Sequence, residues 1–357
     1  MAILSIDGGG IRDIIPAAIL VRLESLLHDF TGDHTLKIGD LVAGTSTGGI
    51  LSCIYLAPGD NKKARYSAQD ALNLYVEHGH EIFSNTLGHQ ITSGAGFLCS
   101  KYSFEHLYAL LTEYFGDLKL ADLIKPSLIT AYEMTQRRAL FFTSVDARTD
   151  EGSNFYVRDV ARATSAAPTF FAPAGIRSMD TCDYALLDGG VFANNPALCA
   201  YSEALKVDFP KLFPNCDKAT PRGAKDMLMI SLGTGSVKKS YHIEIFIHAG
   251  ELKWLESIID ILMSGNSETV SYELKSIYST LAAPDNADYY RLEPGLLAAS
   301  SDMDLATPDN INKLKDAGFA FVENNIGMIG EIAAKIAGHC LGSMSSRVPS
   351  WHDAVVQ

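Results

Sequence analysis

The chain has 357 residues, of which 47% are hydrophobic and 20% charged, a composition typical of folded globular proteins and not of disordered or collagen-like chains. Lys and Arg number 29 against 42 Asp and Glu, a net charge of −13, which argues against nucleic acid as a partner because binding a phosphate backbone requires clustered cations. The same charge disfavours long-range attraction to anionic lipid headgroups, so any membrane contact would depend on apolar residues or a local patch.

The N-terminal part of the chain alternates strands, glycine turns and helices. Residues 2–6 predict a buried strand that ends before three glycines, and the apolar residues of 15–27 then follow helical spacing. Residues 38–43 predict a second strand, followed by a tight turn at 44–48 and a helix at 49–56. This alternation implies a three-layer α/β/α fold with a mostly parallel central sheet.

The rest of the chain continues the same α/β pattern and then becomes helical. From Gly250 onward we expect helices only, and we divide the chain into a catalytic part at 1–290 and a helical C-terminal extension at 291–357 packed on the same domain. The predicted elements between them are helices over 68–115 interrupted by a loop at 92–96, strands at 127–132 and 139–145, a helix at 157–164, and strands at 185–187 and 227–232.

One apolar stripe in the C-terminal half has two interpretations. Its residues recur at helical spacing, which favours packing against the core. An interfacial surface for lipid is the alternative. The stripe consists of Trp254, Leu255, Ile258, Ile259 and Leu262, with Phe246 and Ile247 just upstream.

Cysteine usage and the N-terminus bear on the compartment. The six cysteines lack Cys-x-x-Cys spacing, which indicates free thiols in a reducing environment. The apolar run at 2–6 is too short for a signal peptide, and no segment approaches about eighteen consecutive apolar residues. We therefore expect a cytoplasmic protein in which any membrane contact is peripheral.

The first candidate site residue is a serine in a glycine-flanked turn. Gly44-x-Ser46-x-Gly48 matches a nucleophile elbow, and the predicted strand before it and helix after it are the context that this motif requires. Glycines on either side let neighbouring backbone approach the serine closely. An ordinary strand-to-helix turn is the structural alternative.

A glycine-rich turn at the end of the first strand is the second candidate. Backbone N–H groups of Gly8, Gly9 and Gly10 could point into a cavity as an anion hole. An oxyanion hole, a phosphate cradle and a plain turn all fit this loop, although the Rossmann and Walker A spacings both fail. Arg12 could support the hole or pair with a headgroup phosphate, and a surface salt bridge is the structural alternative.

A nucleophilic serine needs a base, and the ten histidines do not provide an obvious one, since they lie in helical or loop patterns. Asp188, by contrast, ends an apolar strand and precedes two glycines. Near an apolar floor its carboxylate would be desolvated and would accept a proton more readily. A turn or helix-cap aspartate is the alternative for this residue.

Together these motifs resemble the patatin-like phospholipase family. The matching segments are Asp-Gly-Gly-Gly-Ile-Arg at 7–12, Gly-Thr-Ser-Thr-Gly at 44–48 and Asp-Gly-Gly at 188–190, with further similarity at 161–168, 194–196 and 231–235. The resemblance implies a Ser46–Asp188 dyad without histidine, an oxyanion hole from Gly8, Gly9 and Gly10, and support from Arg12 and Thr47. It also implies phospholipase A-type hydrolysis of lipid at a membrane or micelle surface, without calcium or another cofactor.

One residue departs from the family pattern. Asp13 stands where the family usually has glycine, and a carboxylate there either caps the following helix or weakens the anion hole. Two alternatives to a constitutive lipid acyl hydrolase stay open, and Asp13 is a hint only for the second of them. One is a phospholipase effector activated by a cyclic nucleotide, and the other is a catalytically weak storage or lipid-binding protein.

Overall fold

The central element is one mixed sheet of eight strands, found in a computed structural model that describes residues 1–60, 63–84, 100–212, 220–236, 242–247 and 250–341. The lateral order is β5-β6-β3-β2-β1-β7-β8, and β4 also pairs with β3. The β1–β2, β1–β7, β2–β3 and β7–β8 pairs are parallel, while the β3–β4, β3–β6 and β5–β6 pairs are antiparallel. The mostly parallel sheet is thus confirmed. The strands are β1 (Ala2–Ile6), β2 (Leu41–Gly44), β3 (Ser127–Glu133), β4 (Arg138–Thr143), β5 (Ala174–Arg177), β6 (Asp183–Asp188), β7 (Leu228–Leu232) and β8 (Tyr289–Leu292).

Helices surround this sheet. The longer ones are α1 (Ile14–Thr31), α2 (Thr47–Tyr55), α3 (Ala68–Ile82), α4 (Glu105–Phe115), α5 (Val157–Thr164), α6 (Ala197–Ala204), α7 (Glu251–Ser279), α8 (Pro308–Asn324) and α9 (Ile326–Leu341). Single-turn helices are Ser144–Ala147, Gly190–Ala193, Phe209–Leu212 and Ile243–Phe246, and short 3₁₀ segments are Gly10–Asp13, Leu120–Asp122, Glu151–Ser153, Ala224–Asp226 and Asp285–Ala287. In the described part of the chain, the helices are too short or too polar to cross a membrane.

The two faces of the sheet carry separate apolar clusters. Successive strand side chains point to opposite faces, so Leu4 and Ile6 join the larger cluster while Ile3 joins the smaller one. The larger cluster includes residues of α1–α4, α8 and α9, and the smaller one includes residues of α6 and the C-terminal half of α7. The α/β/α layering follows from this alternation.

The C-terminal helices pack directly on α1. Ile311 and Leu314 of α8 are buried in the larger cluster, and a Cβ at Gly318 would lie 2.8 Å from Cβ of Ala18. The prediction of helices only after Gly250 is wrong at β8, which pairs in parallel with β7 and runs across residue 290. Four residues give too short a pattern to reveal a strand whose partner is about sixty residues away.

The stripe on α7 is exposed where core packing was predicted. Trp254, Ile258 and Leu262 are 40%, 45% and 52% exposed, so the core interpretation is wrong for these three residues. Ile259 is half-buried and faces a cavity described below. Helical spacing identifies an apolar face, but it does not say whether that face meets protein or solvent.

Several smaller predictions have mixed outcomes. The strand predicted at 139–145 ends at Thr143, whose side chain accepts a hydrogen bond from the Asp146 N–H and caps a short helix. Among the described residues, Cys53, Cys182 and Cys199 are free thiols. The loop predicted at 92–96, the side chain of Leu255, and Cys99 and Cys216 lie outside the described residues or side chains.

Candidate active site

Ser46 occupies a sharp turn between β2 and α2. Its backbone has φ 56° and ψ −130°, a conformation that side-chain-bearing residues rarely adopt and that is typical of functional sites. The Ser46 N–H donates to Oγ1 of Thr164 at 2.9 Å. Glycine is required two residues later, since a Cβ at Gly48 would lie 2.3 Å from the Asp7 carbonyl oxygen.

The sheet register brings Asp188 to this serine. Gly44 pairs with Ile129 of β3, and Asp188 pairs with Ala131, two residues further along the same strand. Oγ of Ser46 donates to Oδ2 of Asp188 at 2.6 Å. The predicted nucleophile and the predicted base therefore lie in direct contact, although 142 residues separate them in sequence.

Burial dominates the electrostatics of Asp188. The residue is 2% exposed, and desolvation raises the pKa of its carboxyl to about 7, opposed by hydrogen bonds from Ser46 and Gly190 and by the charge of Arg162. The Gly190 N–H donates to Oδ1 at 2.7 Å. A carboxylate with a pKa near neutrality can take a proton from a hydroxyl more effectively than an exposed aspartate can.

The predicted anion-hole glycines lie beside the serine, and their N–H groups have partners. The Gly8 N–H donates to the backbone carbonyl of Asn194 at 3.1 Å. The Gly10 and Gly9 N–H groups both donate to Oγ1 of Thr47, at 2.9 and 3.4 Å. Gly10 has φ +64°, and a Cβ there would lie 2.0 Å from the Met303 carbonyl oxygen, so glycine is needed at this position.

Arg12 and Asp13 lie behind the same loop and are buried. Nε of Arg12 donates to the Gly9 carbonyl at 3.3 Å, so this guanidinium contacts the loop and is not a surface group. The Thr47 hydroxyl donates to Oδ2 of Asp13. Burial raises the pKa of Asp13 well above its usual value, and its Oδ1 has no hydrogen-bond partner among the described residues.

An ion pair that the sequence did not reveal lies at the start of the glycine loop, at Asp7. Arg291, at the end of β8, donates to both carboxylate oxygens of Asp7, at 2.9 and 2.7 Å. It also pairs with Glu293 and donates to Oγ of Ser231 at 2.9 Å. Burial raises the pKa of Asp7 to about 6 even though Arg291 acts in the opposite direction.

The dyad opens into an apolar cavity of about 730 Å³, a volume that includes open solvent at its mouth. Among the described residues, no histidine lines it. Its walls come from α2, α3, α4, α7 and the segments around 165–171 and 303. The lining residues are Gly10, Ser46, Thr47, Ile50, Leu74, Tyr75, Ile82, Phe83, Leu107, Leu110, Leu111, Ser165, Ala167, Phe170, Phe171, Asp188, Ile259, Met263 and Met303.

Sequence reasoning missed three residues that hold the site together. Thr164 and Asn194 lie within segments that carry the family resemblance, so those segments pointed to them without giving them a role. Arg291 had no such signal, because its partner Asp7 lies 284 residues away.

Comparisons with known proteins agree with the motif-based resemblance. A family model described as patatin-like phospholipase matches residues 4–201. Patatin-like protein 1 of Arabidopsis thaliana is 31% identical over 348 residues, which cover 91% of this chain and 82% of the relative. Patatin-like protein 2 of Oryza sativa subsp. indica is 30% identical over 347 residues, which cover 92% and 85%. Among solved structures, VipD from Legionella pneumophila aligns with 10% identity and a TM-score of 0.38, over 90% of this chain and 66% of that one.

The pKa of Asp188 predicts how the reactivity of Ser46 depends on pH. A carboxyl that accepts a serine proton must be ionised, and the ionised fraction of Asp188 rises through about pH 7. We expect labelling of Ser46 by a fluorophosphonate probe to accelerate with rising pH, with a midpoint near that value. Labelling rates across a pH series test this. A midpoint near pH 4, or the same profile in Asp188→Asn, would contradict it.

A second prediction concerns the buried carboxyl of Asp13. Because its pKa is raised on folding, the folded chain binds more protons than the unfolded chain above the usual aspartate range, and stability falls as pH rises. We expect Asp13→Asn to raise the urea midpoint at about pH 9 and to change it little at about pH 4. The exposed Asp302→Asn is the control. An equal shift at both pH values would show that ionisation of Asp13 does not matter.

Proposed function

The chain belongs to the patatin-like phospholipase family, and we propose that it hydrolyses fatty acyl esters of phospholipids or related lipids through a Ser46–Asp188 dyad. The observation that carries this proposal is the 2.6 Å hydrogen bond between these two side chains at the wall of an apolar cavity. A charged or sugar-like substrate would find few polar partners there, whereas transfer of an acyl chain from water into the cavity is favourable.

The proposed reaction begins with proton transfer from Ser46 to Asp188. As the proton moves, Oγ bonds to the carbonyl carbon of the ester, and the carbonyl π electrons move to its oxygen. When the tetrahedral intermediate collapses, the bond to the alcohol breaks and Asp188 returns the proton to the leaving oxygen. A water molecule then attacks the carbonyl carbon of the acyl-enzyme in the same way. Asp188 takes the proton of the water and returns it to Oγ of Ser46 as the fatty acid is released.

The negative oxygen of the intermediate needs hydrogen-bond donors, and we assign this role to the loop of Gly8, Gly9 and Gly10. Gly9 and Gly10 share the Thr47 hydroxyl in the substrate-free site, so a substrate oxygen would replace that hydroxyl as their acceptor. Arg12, which contacts the Gly9 carbonyl, would hold the loop in place. Loss of one such donor typically costs about 3 kcal/mol of transition-state stabilisation.

The first experiment measures hydrolysis of p-nitrophenyl butyrate and phosphatidylcholine vesicles with calcium chelated. We expect Ser46→Ala and Asp188→Asn to lower kcat/KM on the order of a thousandfold or more, because nucleophile and base act as a unit. Ser52→Ala is a matched control, since its hydroxyl donates to the Gly48 carbonyl on the same helix. Circular dichroism checks each fold. Activity that survives Ser46→Ala would refute the mechanism, and a folded but inactive wild type would favour a storage or activator-dependent protein.

The cavity predicts a dependence on acyl chain length. Leu110 of α4 lines its wall, and a phenylalanine there would occupy space that a long chain needs. We expect Leu110→Phe to lower kcat/KM for p-nitrophenyl palmitate about tenfold and to change the butyrate value little. His106→Phe makes a related change on the exposed face of the same helix and should alter neither. Equal losses on both esters would show that the chain does not lie along α4.

A further inference from the structure

Six exposed apolar residues form what we call the apolar rim. Four of them, Trp254, Ile258, Ile261 and Leu262, lie on the N-terminal half of α7. Phe104 and Leu305 complete the set from two other segments. Large apolar side chains are normally scattered singly on a protein surface, so a group of them requires an explanation.

Each of the three segments that carry the rim also contributes to the cavity wall. On α7, Ile259 and Met263 line the cavity while their neighbours Ile258 and Leu262 are exposed. Phe104 lies one helical turn before the cavity residue Leu107. Leu305 likewise follows the cavity residue Met303 by two positions. The exposed apolar residues therefore lie on the same three segments that line the cavity beside Ser46.

Charge indicates what kind of surface fits here. The rim side chains themselves carry no charge, and the nearby ammonium group of Lys101 pairs with Asp304. With a net charge of −13 for the whole chain, attraction to an anionic bilayer is unfavourable. A zwitterionic lipid layer imposes no such repulsion and can accept aromatic and aliphatic side chains at its interface.

We propose that the apolar rim docks the protein on a neutral, zwitterionic phospholipid surface, so that an acyl chain can pass from the lipid layer into the cavity. This inference rests on the proposed function, because it takes the substrate to be a lipid held in an aggregate. A second copy of the chain is the competing occupant, and the experiments below separate it from a lipid surface.

Insertion of Trp254 into a lipid layer can be measured by its fluorescence. The chain has only two tryptophans, Trp254 and Trp351, so Trp351→Phe leaves a single reporter on the rim. In a Ser46→Ala background, which prevents hydrolysis, we expect phosphatidylcholine vesicles to shift the emission to shorter wavelength and brominated lipid to quench it. An emission spectrum that vesicles leave unchanged would overturn the proposal.

Paired substitutions test whether the rim carries the binding. We expect Ile258→Asp combined with Leu262→Asp to abolish flotation with phosphatidylcholine vesicles and to lower vesicle hydrolysis at least about tenfold. Hydrolysis of p-nitrophenyl butyrate below its micelle concentration should stay within about twofold, since neither residue lines the cavity. Tyr272→Asp, at a 73% exposed position on the same helix, should leave all three measurements unchanged.

These outcomes distinguish the proposed docking surface from the proposed hydrolase activity. If the rim variant loses vesicle binding while the wild type hydrolyses neither substrate, the result would support the docking surface and refute the proposed enzymatic activity. Normal vesicle binding by the rim variant would overturn the rim whatever the activity. Light scattering that shows a wild-type oligomer and a monomeric rim variant would assign the rim to a second copy and would also overturn the proposal.

Discussion

The buried hydrogen bond between Ser46 and Asp188 depends on one strand, β3. Ser46 lies in the turn that follows β2, and Asp188 is the last residue of β6, so their contact depends on how these two strands are placed. β3 pairs with both β2 and β6, and its register fixes where the two turns meet. The strained backbone of Ser46 is tolerated because Thr164 binds its N–H and because glycine at 48 lets α2 approach the Asp7 carbonyl.

The site contains three buried carboxyls, those of Asp7, Asp13 and Asp188, and each has different partners. Asp7 is paired bidentately with Arg291. Asp13 accepts a hydrogen bond from the Thr47 hydroxyl and is stabilised in its charged form by Arg12, and Asp188 accepts hydrogen bonds from Ser46 and the Gly190 N–H. Desolvation raises the pKa of all three. Removing one partner of a buried ion pair typically costs about 3–5 kcal/mol because the other charge is left buried without compensation, so loss of Arg291 would leave an unpaired carboxylate at the start of the glycine loop.

The parts of the site that could be predicted from sequence are those whose chemistry is local. Ser46 was visible because its glycines, strand and helix are adjacent in sequence, and Asp188 because it ends an apolar strand before two glycines. Arg291 was not, because nothing near it in sequence indicates a partner 284 residues away. The exposure of Trp254 was missed for another reason, since periodicity defines a face without saying what covers it.

Helix α7 connects the dyad with the outer surface of the protein. Its C-terminal half is held near the dyad, because Nδ2 of Asn266 donates to the Phe192 carbonyl at 2.7 Å, and Ser267 accepts from Nδ2 of Asn194 at 3.2 Å. Asn194 in turn binds the Gly8 N–H through its own carbonyl. The N-terminal half of α7 carries most of the apolar rim. The helix has 29 residues and a length of about 44 Å. One helix therefore carries both the exposed apolar residues and the contact to Asn194, whose backbone carbonyl accepts from the Gly8 N–H.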